Sequence, residues 1–484
     1  MAEFILLRKV MERLKEKLWI DGNRCCYCGG CVGVCPAQAL ILMEAELKVD
    51  REKCTMCRYC LIFCPVEAIS ISQEGILKQH PEAEIMTTDV VIVGAGPAGS
   101  ICAKYLAQSG VQVIVVEKRQ EIGAPKRCAE AVDPKAFEAV EIRPNPLWLT
   151  NRIQTAVLYA PNENHVTFGA RSSDERGYII ERKVFDKHLA KDAIRAGARF
   201  WLKTTALGVI QEKGRVKGVV VEHMGIARKI LAKIVIAADG VDSMIAQSAG
   251  LKTVNQLKYY MSCFQYEMAG LSNIDEKAIH LYYGNDVAPG GYVWIFPKGN
   301  TLANVGVGIK ALKGGHKTPQ KYLDQFIEKH PFIFQNACPV EFNCGGVPVH
   351  QTIDPLVGDG MMIIGDAAHL VNPITGGGID LAMISGRMAA EVAVEALQKE
   401  DVRIENLIKF QKKWDEEQGK KLKKMFKLQK FTENLTDEDL NKLANILTAK
   451  ILEELAEGNF TGFMRLLAKK LPSIAHFAVT YLRS

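Results

Sequence analysis

Eight of the fourteen cysteines form one pattern written twice, and that pattern constrains the fold more than any other feature of the chain. The first copy is Cys25, Cys28, Cys31 and Cys35, followed by Pro36. The second is Cys54, Cys57, Cys60 and Cys64, followed by Pro65. Both read C-x2-C-x2-C-x3-C-P, and both run on into Pro-x-x-Ala with Leu40 or Ile69 next. Three thiolates at i, i+3 and i+6 can wrap one corner of an iron–sulfur cubane, and the proline-terminated cysteine ligates the cluster of the other repeat. Cys25, Cys28, Cys31 and Cys64 are therefore assigned to one [4Fe–4S] cluster, and Cys54, Cys57, Cys60 and Cys35 to a second. Zinc sites usually present two separated ligand pairs and need no prolines. Disulfides need an oxidising compartment, and nothing in the sequence indicates export. Cys26 is read as a bystander. Residues 21–80 thus form a small module whose two halves must interleave, carrying two one-electron centres.

At 484 residues the chain exceeds a single core, so several domains are expected. A net charge of +6 without any nucleic-acid motif speaks against nucleic-acid binding. No run of 18 apolar residues is present, so no membrane-spanning helix is expected. The opening MAEFILLRKVMERLKEKLWI mixes charge throughout, which is unlike an export signal. Its apolar residues Phe4, Leu7, Val10, Met11, Leu14 and Leu18 have helical spacing, so an amphipathic helix over 1–20 is expected, docked on the body in preference to a membrane. Cys102, Cys128, Cys263, Cys338 and Cys344 show no framework spacing. A reduced cytoplasm in a low-oxygen cell suits oxygen-sensitive cubanes.

After a linker containing His80-Pro81, the pattern changes at Thr88. Val90–Val93 reads as a buried strand, Gly94-Ala95-Gly96-Pro97-Ala98-Gly99 as a tight turn, and the segment to Gln108 as a helix. Val111–Val116 is a second strand, and Glu117 ends it. This is a βαβ unit opening a doubly wound sheet. The glycines let the backbone approach a pyrophosphate at the positive helix N-terminus, and Glu117 is placed for ribose hydroxyls. The fingerprint alone does not separate FAD from NAD. Two later strand ends do: Ile234–Ala237 running into Ala238-Asp239-Gly240, and Met361–Ile364 running into Gly365-Asp366-Ala367-Ala368-His369. Asp366 is placed for a ribityl chain. Gly376-Gly377-Gly378-Ile379 opens a helix whose amides can face the flavin pyrimidine. The reading is FAD, with no separate NAD(P) domain and electrons entering through the clusters.

These three segments resemble the p-hydroxybenzoate-hydroxylase type of FAD fold, and within it the geranylgeranyl reductase family. Pro289-Gly290-Gly291-Tyr292-Val293-Trp294-Ile295-Phe296-Pro297 is similar to that family's P-x-x-Y-x-W-x-F-P signature, which lines a prenyl tunnel near the flavin. Cys128-Ala129-Glu130-Ala131-Val132 resembles its Cys-(Ala/Gly)-Glu-Ala-Val loop beside the isoalloxazine, which implicates Cys128 and Ala129. Arg182 matches a cofactor-contacting arginine, and Ala206 falls where a backbone contact to adenine is usual. The resemblance spans about 86–400. It implies an FAD domain (mainly 86–135, 176–250 and 355–400) with an inserted antiparallel-sheet substrate domain (mainly 136–175 and 251–354), both α/β and α+β in class. The N-terminal two-cluster module, of bacterial ferredoxin type, is a departure from many members, and it bears on the electron donor.

The resemblance further implies saturation of isoprenoid double bonds in geranylgeranyl chains of archaeal-type membrane lipid. An isolated alkene offers no carbonyl to accept charge, so its reduction needs a hydride and a proton. Cys128 and Tyr292 are the candidate proton sources, with bound water the alternative. Tyr292, Trp294 and Phe296 alternate, so three rings share one strand face and are expected to line the tunnel. His369 is expected to support the cofactor loop, and His80, His165 and His316 to face solvent. The region 401–484 reads as helical. Its nine lysines between Lys409 and Lys430 read first as a solvated face and second as a peripheral attraction to anionic headgroups on the cytoplasmic side of a membrane. A prenylated lipid is the expected substrate, with an external ferredoxin or other low-potential carrier as donor. The alternatives are an electron-transfer-flavoprotein:quinone-type oxidoreductase, which the intact tunnel signature argues against, and a flavin monooxygenase, whose oxygen chemistry suits paired cubanes badly.

Overall fold

The computed structural model describes residues 18–71, 84–169, 175–254, 256–315, 317–433, 435–456 and 458–470. All but the end of the expected helix over 1–20 lies outside these residues, as do His80-Pro81, His316 and the apolar tail 471–479.

The N-terminal module consists of short helices Gly30–Gly33 and Tyr59–Phe63, the hairpin Leu40–Met43/Glu46–Val49, and a two-residue antiparallel pairing of Trp19–Ile20 with Ile69–Ser70. Its apolar core is small, built from Leu18, Leu40, Leu47, Ala68 and Ile69 around Cys25, Cys31 and Cys60. So little buried area leaves a module of this size dependent on its metal sites for stability. The internal repeat is visible in the backbone. Tyr27 and Met56, Gly29 and Arg58, and Gln38 and Glu67 occupy matching repeat positions, and all have φ between 49° and 74°. Left-handed non-glycine residues are uncommon, so their recurrence means both loops wrap the same shape.

In the flavin-type domain Glu84–Val93, Val113–Val116 and Arg199–Trp201 run parallel, and Ile226–Ala237 and Met361–Ile363 extend the parallel set on the other side. Val90–Val93 and Val113–Val116 are buried on both faces, which is why they read as unbroken apolar runs. Helices Pro97–Gln108, Arg182–Arg195 and Ile379–Gln398 cover the sheet. A meander of Thr204–Glu212, Arg215–His223 and Ile226–Ala237 forms its far edge.

The second large sheet has seven strands in the order His165–Gly169, Thr155–Tyr159, Ala278–Tyr282, Tyr292–Gly299, Leu302–Lys310, Tyr260–Ala269 and Cys338–Pro348. It is antiparallel except where Ala278–Tyr282 pairs in parallel with Thr155–Tyr159. One face packs Val293, Ile295, Val305 and Val307 against Leu323 and Phe326 of helix Pro319–Lys329. The other carries Trp294 and Phe296 toward Ile153 and Ile179. C-terminal helices Ile404–Trp414 and Lys420–Thr432 dock on the flavin-type domain through Phe410, Trp414, Leu422 and Met425. Lys409 and Lys413 pair with Glu395 and Glu391, and Lys423 lies 3.1 Å from Asp415. Lys420, Lys424 and Lys427 point outward. Among the described residues no helix is long and apolar enough to cross a membrane.

Candidate active site

The eight repeat cysteines line two separate hollows. One is bordered by Cys54, Cys57, Cys60 and Cys35, with Leu18, Leu40 and Met56. The other is bordered by Cys25, Cys28, Cys31 and Cys64, with Tyr27, Leu47 and Ile69. Each hollow therefore takes three sulfurs from one repeat and the proline-flanked sulfur from the other. Those crossing sulfurs are oriented alike: Ala39 N–H donates to Cys35 Sγ at 3.3 Å and Ala68 N–H to Cys64 Sγ at 3.2 Å. Burial raises the Cys25 and Cys31 thiols and pushes Cys60 up to about 11, with neighbouring sulfurs adding to the effect. Crowded sulfurs of this kind are stable as thiolates only around a cation, so the donor set fits an iron–sulfur cluster. The two hollows are adjacent, because helices Gly30–Gly33 and Tyr59–Phe63, which carry Cys31 and Cys60, pack together. Cys26 donates to Arg24 O at 3.5 Å and stands at the rim of the second hollow.

This module meets the flavin-type domain along one edge. Arg24, 8% exposed, donates from Nε to Met224 O at 3.0 Å. The Lys203 ammonium lies 5.4 Å from the centre of the Tyr27 ring, which borders the Cys25 hollow. Lys203 N–H in turn donates to Arg119 O, and Arg119 N–H donates to Glu117 Oε1 at 3.0 Å. The Cys25 side of the module thus sits against the edge that carries Glu117.

The glycine loop has the form a dinucleotide needs. Gly94 has φ +106°, and a side chain there would strike Ala238. A side chain at Gly99 would overlap the Gly94 carbonyl, whereas Gly96 faces open space within 4 Å. Helix Pro97–Gln108 begins directly after it, with Ala98 in its buried first turn. Glu117 Oε2 accepts Ala95 N–H at 3.0 Å, so the acid and the loop are locked together. Ala206 lies nearby, two residues after Thr204, whose N–H donates to Glu117 O at 2.8 Å. Asp239 Oδ2 accepts Ile245 N–H at 3.0 Å and ends the strand beside Gly94. Gly377 and Gly378 directly precede helix Ile379–Gln398. The Asp366 carboxyl lies against Gly378, and burial raises its pKa while the Arg182 charge opposes the rise. An open glycine turn, a carboxylate at the ribose end and a half-buried carboxyl beside a helix N-terminus together fit FAD.

Cys128 stands between that cofactor face and the aromatic sheet. Its Sγ accepts Glu130 N–H at 3.2 Å, and the Arg182 guanidinium lies beside it while forking onto Asp186 at 2.7 and 2.6 Å. Burial pushes the thiol up, and Arg182 and the Glu130 amide pull it down. Ala129 packs with Trp294 and Phe296. The three rings do share one face: Tyr292 and Trp294 centroids are 5.9 Å apart, and Trp294 and Phe296 are 6.3 Å apart. The Tyr292 hydroxyl donates to Thr375 O, just before Gly377, and burial drives its pKa far above the ordinary phenol value. His369 is buried with φ +54°, its ring 5.9 Å from that of His350. His165 is exposed on its strand.

A buried polar cluster beneath the Cys128 loop carried no role in the motif reading. Glu130, fully buried, accepts Arg182 N–H at 2.6 Å on Oε1. On Oε2 it accepts Asn304 Nδ2 at 2.8 Å, Lys298 Nζ at 3.0 Å and Lys126 Nζ at 3.2 Å. Lys298 Nζ also reaches Glu181 at 2.6 Å and Glu267 at 3.1 Å, and Lys126 pairs with Glu267. Gln265, 2% exposed, accepts the Trp294 indole N–H at 2.9 Å and donates to Cys128 O at 3.1 Å. Polar residues set singly in apolar strands (Gln265, Glu267, Lys298, Asn304) are the signal that could have found it, since such groups are buried only when partnered.

Residues 260–347 match the family model described as geranylgeranyl reductase catalytic domain. Residues 17–65 match a 4Fe-4S dicluster domain, and residues 88–277 match a pyridine nucleotide-disulphide oxidoreductase domain. The chain is 42% identical over 390 residues to a digeranylgeranylglycerophospholipid reductase of Methanothrix thermoacetophila, covering 80% of this chain and 98% of that protein. It is 40% identical over 391 residues to the enzyme so named in Methanocaldococcus jannaschii, covering 80% and 97%. Among solved structures it is similar to a geranylgeranyl bacteriochlorophyll reductase-like protein of Thermoplasma acidophilum. That match has 35% identity and a TM-score of 0.76, and covers 82% of this chain and all of that one. A flavin-dependent brominase, at 18% identity and a TM-score of 0.62, shares the fold.

Proposed function

The chain belongs to the geranylgeranyl reductase family, and from that membership we propose that it saturates the isoprenoid double bonds of digeranylgeranylglycerophospholipid in archaeal-type lipid synthesis. Bound FAD supplies two-electron reduction at its ring, and two [4Fe–4S] clusters supply electrons singly. The observation that carries the reading is the aromatic face: Tyr292, Trp294 and Phe296 line up on the side of the sheet that meets the Cys128 loop. Aromatic rings pack against prenyl methyls and favour cationic character at an alkene carbon.

The residues divide the work. Gly94, Gly96, Ala98, Gly99 and Glu117 bind the nucleotide end, with Ala206 and Asp239 beside them. Arg182, Asp366, Gly377, Gly378 and Ile379 hold the ring end, and Ala129 packs between cofactor and substrate. Of the two candidate acids, Cys128 is favoured over Tyr292. The Tyr292 hydroxyl is spent on Thr375 O and its pKa is driven upward, so it releases a proton poorly. The Cys128 sulfur, once it has given up a proton, keeps Arg182 and the Glu130 N–H as partners. Docking of the Cys25 side of the module on the flavin-type domain supports electron entry within one chain, recharged by an external low-potential carrier. The outward lysines Lys420, Lys424 and Lys427 are the part of the surface suited to anionic headgroups, and peripheral contact with the cytoplasmic face of a membrane belongs to the same proposal.

The test is anaerobic incubation of the reconstituted, dithionite-reduced protein with digeranylgeranylglycerophospholipid, followed by mass spectrometry. Mass gains in steps of two hydrogens are expected. No gain, with prompt reoxidation by a quinone, would move the protein to the quinone-oxidoreductase class.

A further inference from the structure

Three carboxylates, Glu130, Glu181 and Glu267, converge within 4.8 Å of one another, an arrangement that elsewhere holds a metal ion. Here the centre is occupied by a side chain: the Lys298 ammonium lies 3.0, 2.6 and 3.1 Å from the three. Lys126 adds a second cation, fully buried, 3.2 Å from Glu130. Lys126 also lies 3.9 Å from Glu341, which Lys183 meets at 2.6 Å, so four carboxylates share three ammoniums and the centre of the cluster is filled by the protein's own cations.

Buried charges cost several kcal/mol each to desolvate, and a family of apolar side chains would fill the same volume without that cost. What such a cluster supplies that apolar side chains do not is a set of directed bonds between the segments that carry it. Its members come from the Cys128 loop (Lys126, Glu130), from the turn before helix Arg182–Arg195 (Glu181), and from the two strands of the seven-stranded sheet that flank Leu302–Lys310 (Glu267, Lys298). Those are the parts that must keep register if a thiol, a guanidinium and an aromatic wall are to face one reacting centre. Glu130 is the joint. Its carboxylate takes four donors from three of those parts, one of them the backbone N–H of Arg182. Its own backbone is left-handed, φ +73°, and its N–H ends on Cys128 Sγ. Gln265 extends the joint on the sheet side, tying the Trp294 indole to the Cys128 carbonyl.

We infer that Glu130 is a positioning residue: its buried carboxylate, acting with Gln265, locks the Cys128 thiol and the Trp294 indole into one rigid unit. The inference rests on the proposed roles of Cys128 and Trp294, and it adds the element that sets their mutual geometry. A thiol held in this way reacts slowly with reagents that need it to turn. Glu130→Gln keeps shape and volume, but it removes one charge and turns a donor toward groups that are themselves donors, so the loop loses its anchor.

The experiment is alkylation of the oxidised holoenzyme with iodoacetamide, followed peptide by peptide in a mass spectrometer. Cys344, exposed on strand Cys338–Pro348, serves as internal reference. Glu130→Gln should raise the Cys128:Cys344 rate ratio at least tenfold, and lower kcat for the lipid more than it changes KM. A ratio within twofold of the parent, with flavin and cluster absorbance intact, overturns the inference. If Glu130→Gln loses its flavin, Gln265→Leu decides. That variant leaves the charges in place, and at least a threefold rise in the ratio is expected. An unchanged ratio there overturns the inference equally. The ratio is read without turnover, so failure of the parent protein to reduce prenyl chains would sink the functional proposal and leave this result standing on its own.

Discussion

Replacing Gly306, the cross-strand partner of Trp294, with alanine should push the indole out of the aromatic face, and the size of the effect follows from geometry. A Cβ on Gly306 would lie 2.5 Å from Trp294 Cε2 and 2.9 Å from Gln265 Cβ. Carbon atoms rest at about 3.5–4.0 Å, so the indole must retreat by roughly 1 Å. Overpacking a filled site costs about 1–3 kcal/mol. The retreat also parts the Trp294 indole N–H from Gln265 Oε1, now at 2.9 Å in a dry site, for another 1–3 kcal/mol or so. The sum is about 2–6 kcal/mol for Gly306→Ala. Gly308 is the control on the same strand. A Cβ there would meet Cys263 Sγ at 3.2 Å and nothing else closer than 3.7 Å, so Gly308→Ala should cost under about 1 kcal/mol. Neither glycine has positive φ, so backbone strain does not enter. Urea denaturation followed by tryptophan fluorescence measures both costs, and prenyl reduction should fall in Gly306→Ala well before Gly308→Ala. Equal stability and equal activity in the two variants would refute the placement of Trp294.

Burial together with the neighbouring His350 holds His369 down at about 4, from an ordinary 6.5. Its neutral form is favoured by folding, so stability is unaffected above pH 6.5 and falls as pH drops from 6.5 to 4, by about 3 kcal/mol in all at 1.36 kcal/mol per unit. His369→Asn, which tolerates the left-handed φ, should flatten that part of the melting-temperature profile; an unaltered pH slope in the variant would contradict the assignment. Cross-ligation of the clusters separates two double variants: Cys25→Ala with Cys64→Ala should halve the iron content, whereas Cys54→Ala with Cys64→Ala should abolish it, and the reverse pattern would mean each repeat ligates its own cluster. Lys298→Met leaves Glu130, Glu181 and Glu267 facing one another without their shared cation, and should cost about 3–5 kcal/mol in denaturant titration; a loss below 1 kcal/mol would show that the cluster is solvated.

Much of this molecule is legible in its sequence because its signals are local. The two cysteine repeats, the glycine turn after Val90–Val93, and the alternation of Tyr292, Trp294 and Phe296 each lie within about a dozen residues, where period and spacing determine geometry. What was illegible joins distant segments. Glu130, Glu181, Glu267 and Lys298 span 169 positions and become neighbours only once the sheet has paired. Glu267 and Lys298 stand out as single charges in apolar strands, but no local pattern pairs them with each other or with Glu130 and Glu181. The parallel pairing of Thr155–Tyr159 with Ala278–Tyr282, inside an otherwise antiparallel sheet, is also long-range and leaves no mark on either strand. The same holds for Arg24 on the Met224 carbonyl. Asp21 and Arg24 crowd Gly225, whose φ of +78° belongs to a hairpin turn, and nothing in the module's own pattern points to that turn.

On the proposed function, electrons held by the clusters and flavin of this one chain leave it as saturated prenyl bonds. The most direct measurement is anaerobic stopped-flow mixing of fully reduced protein with digeranylgeranylglycerophospholipid, with flavin and cluster absorbance recorded alongside the masses of quenched lipid. Both absorbances should return to their oxidised form, with one double bond lost for every two electrons released. Lipid that stays unsaturated while the absorbances recover, or absorbances that stay bleached in the presence of the lipid, would contradict it.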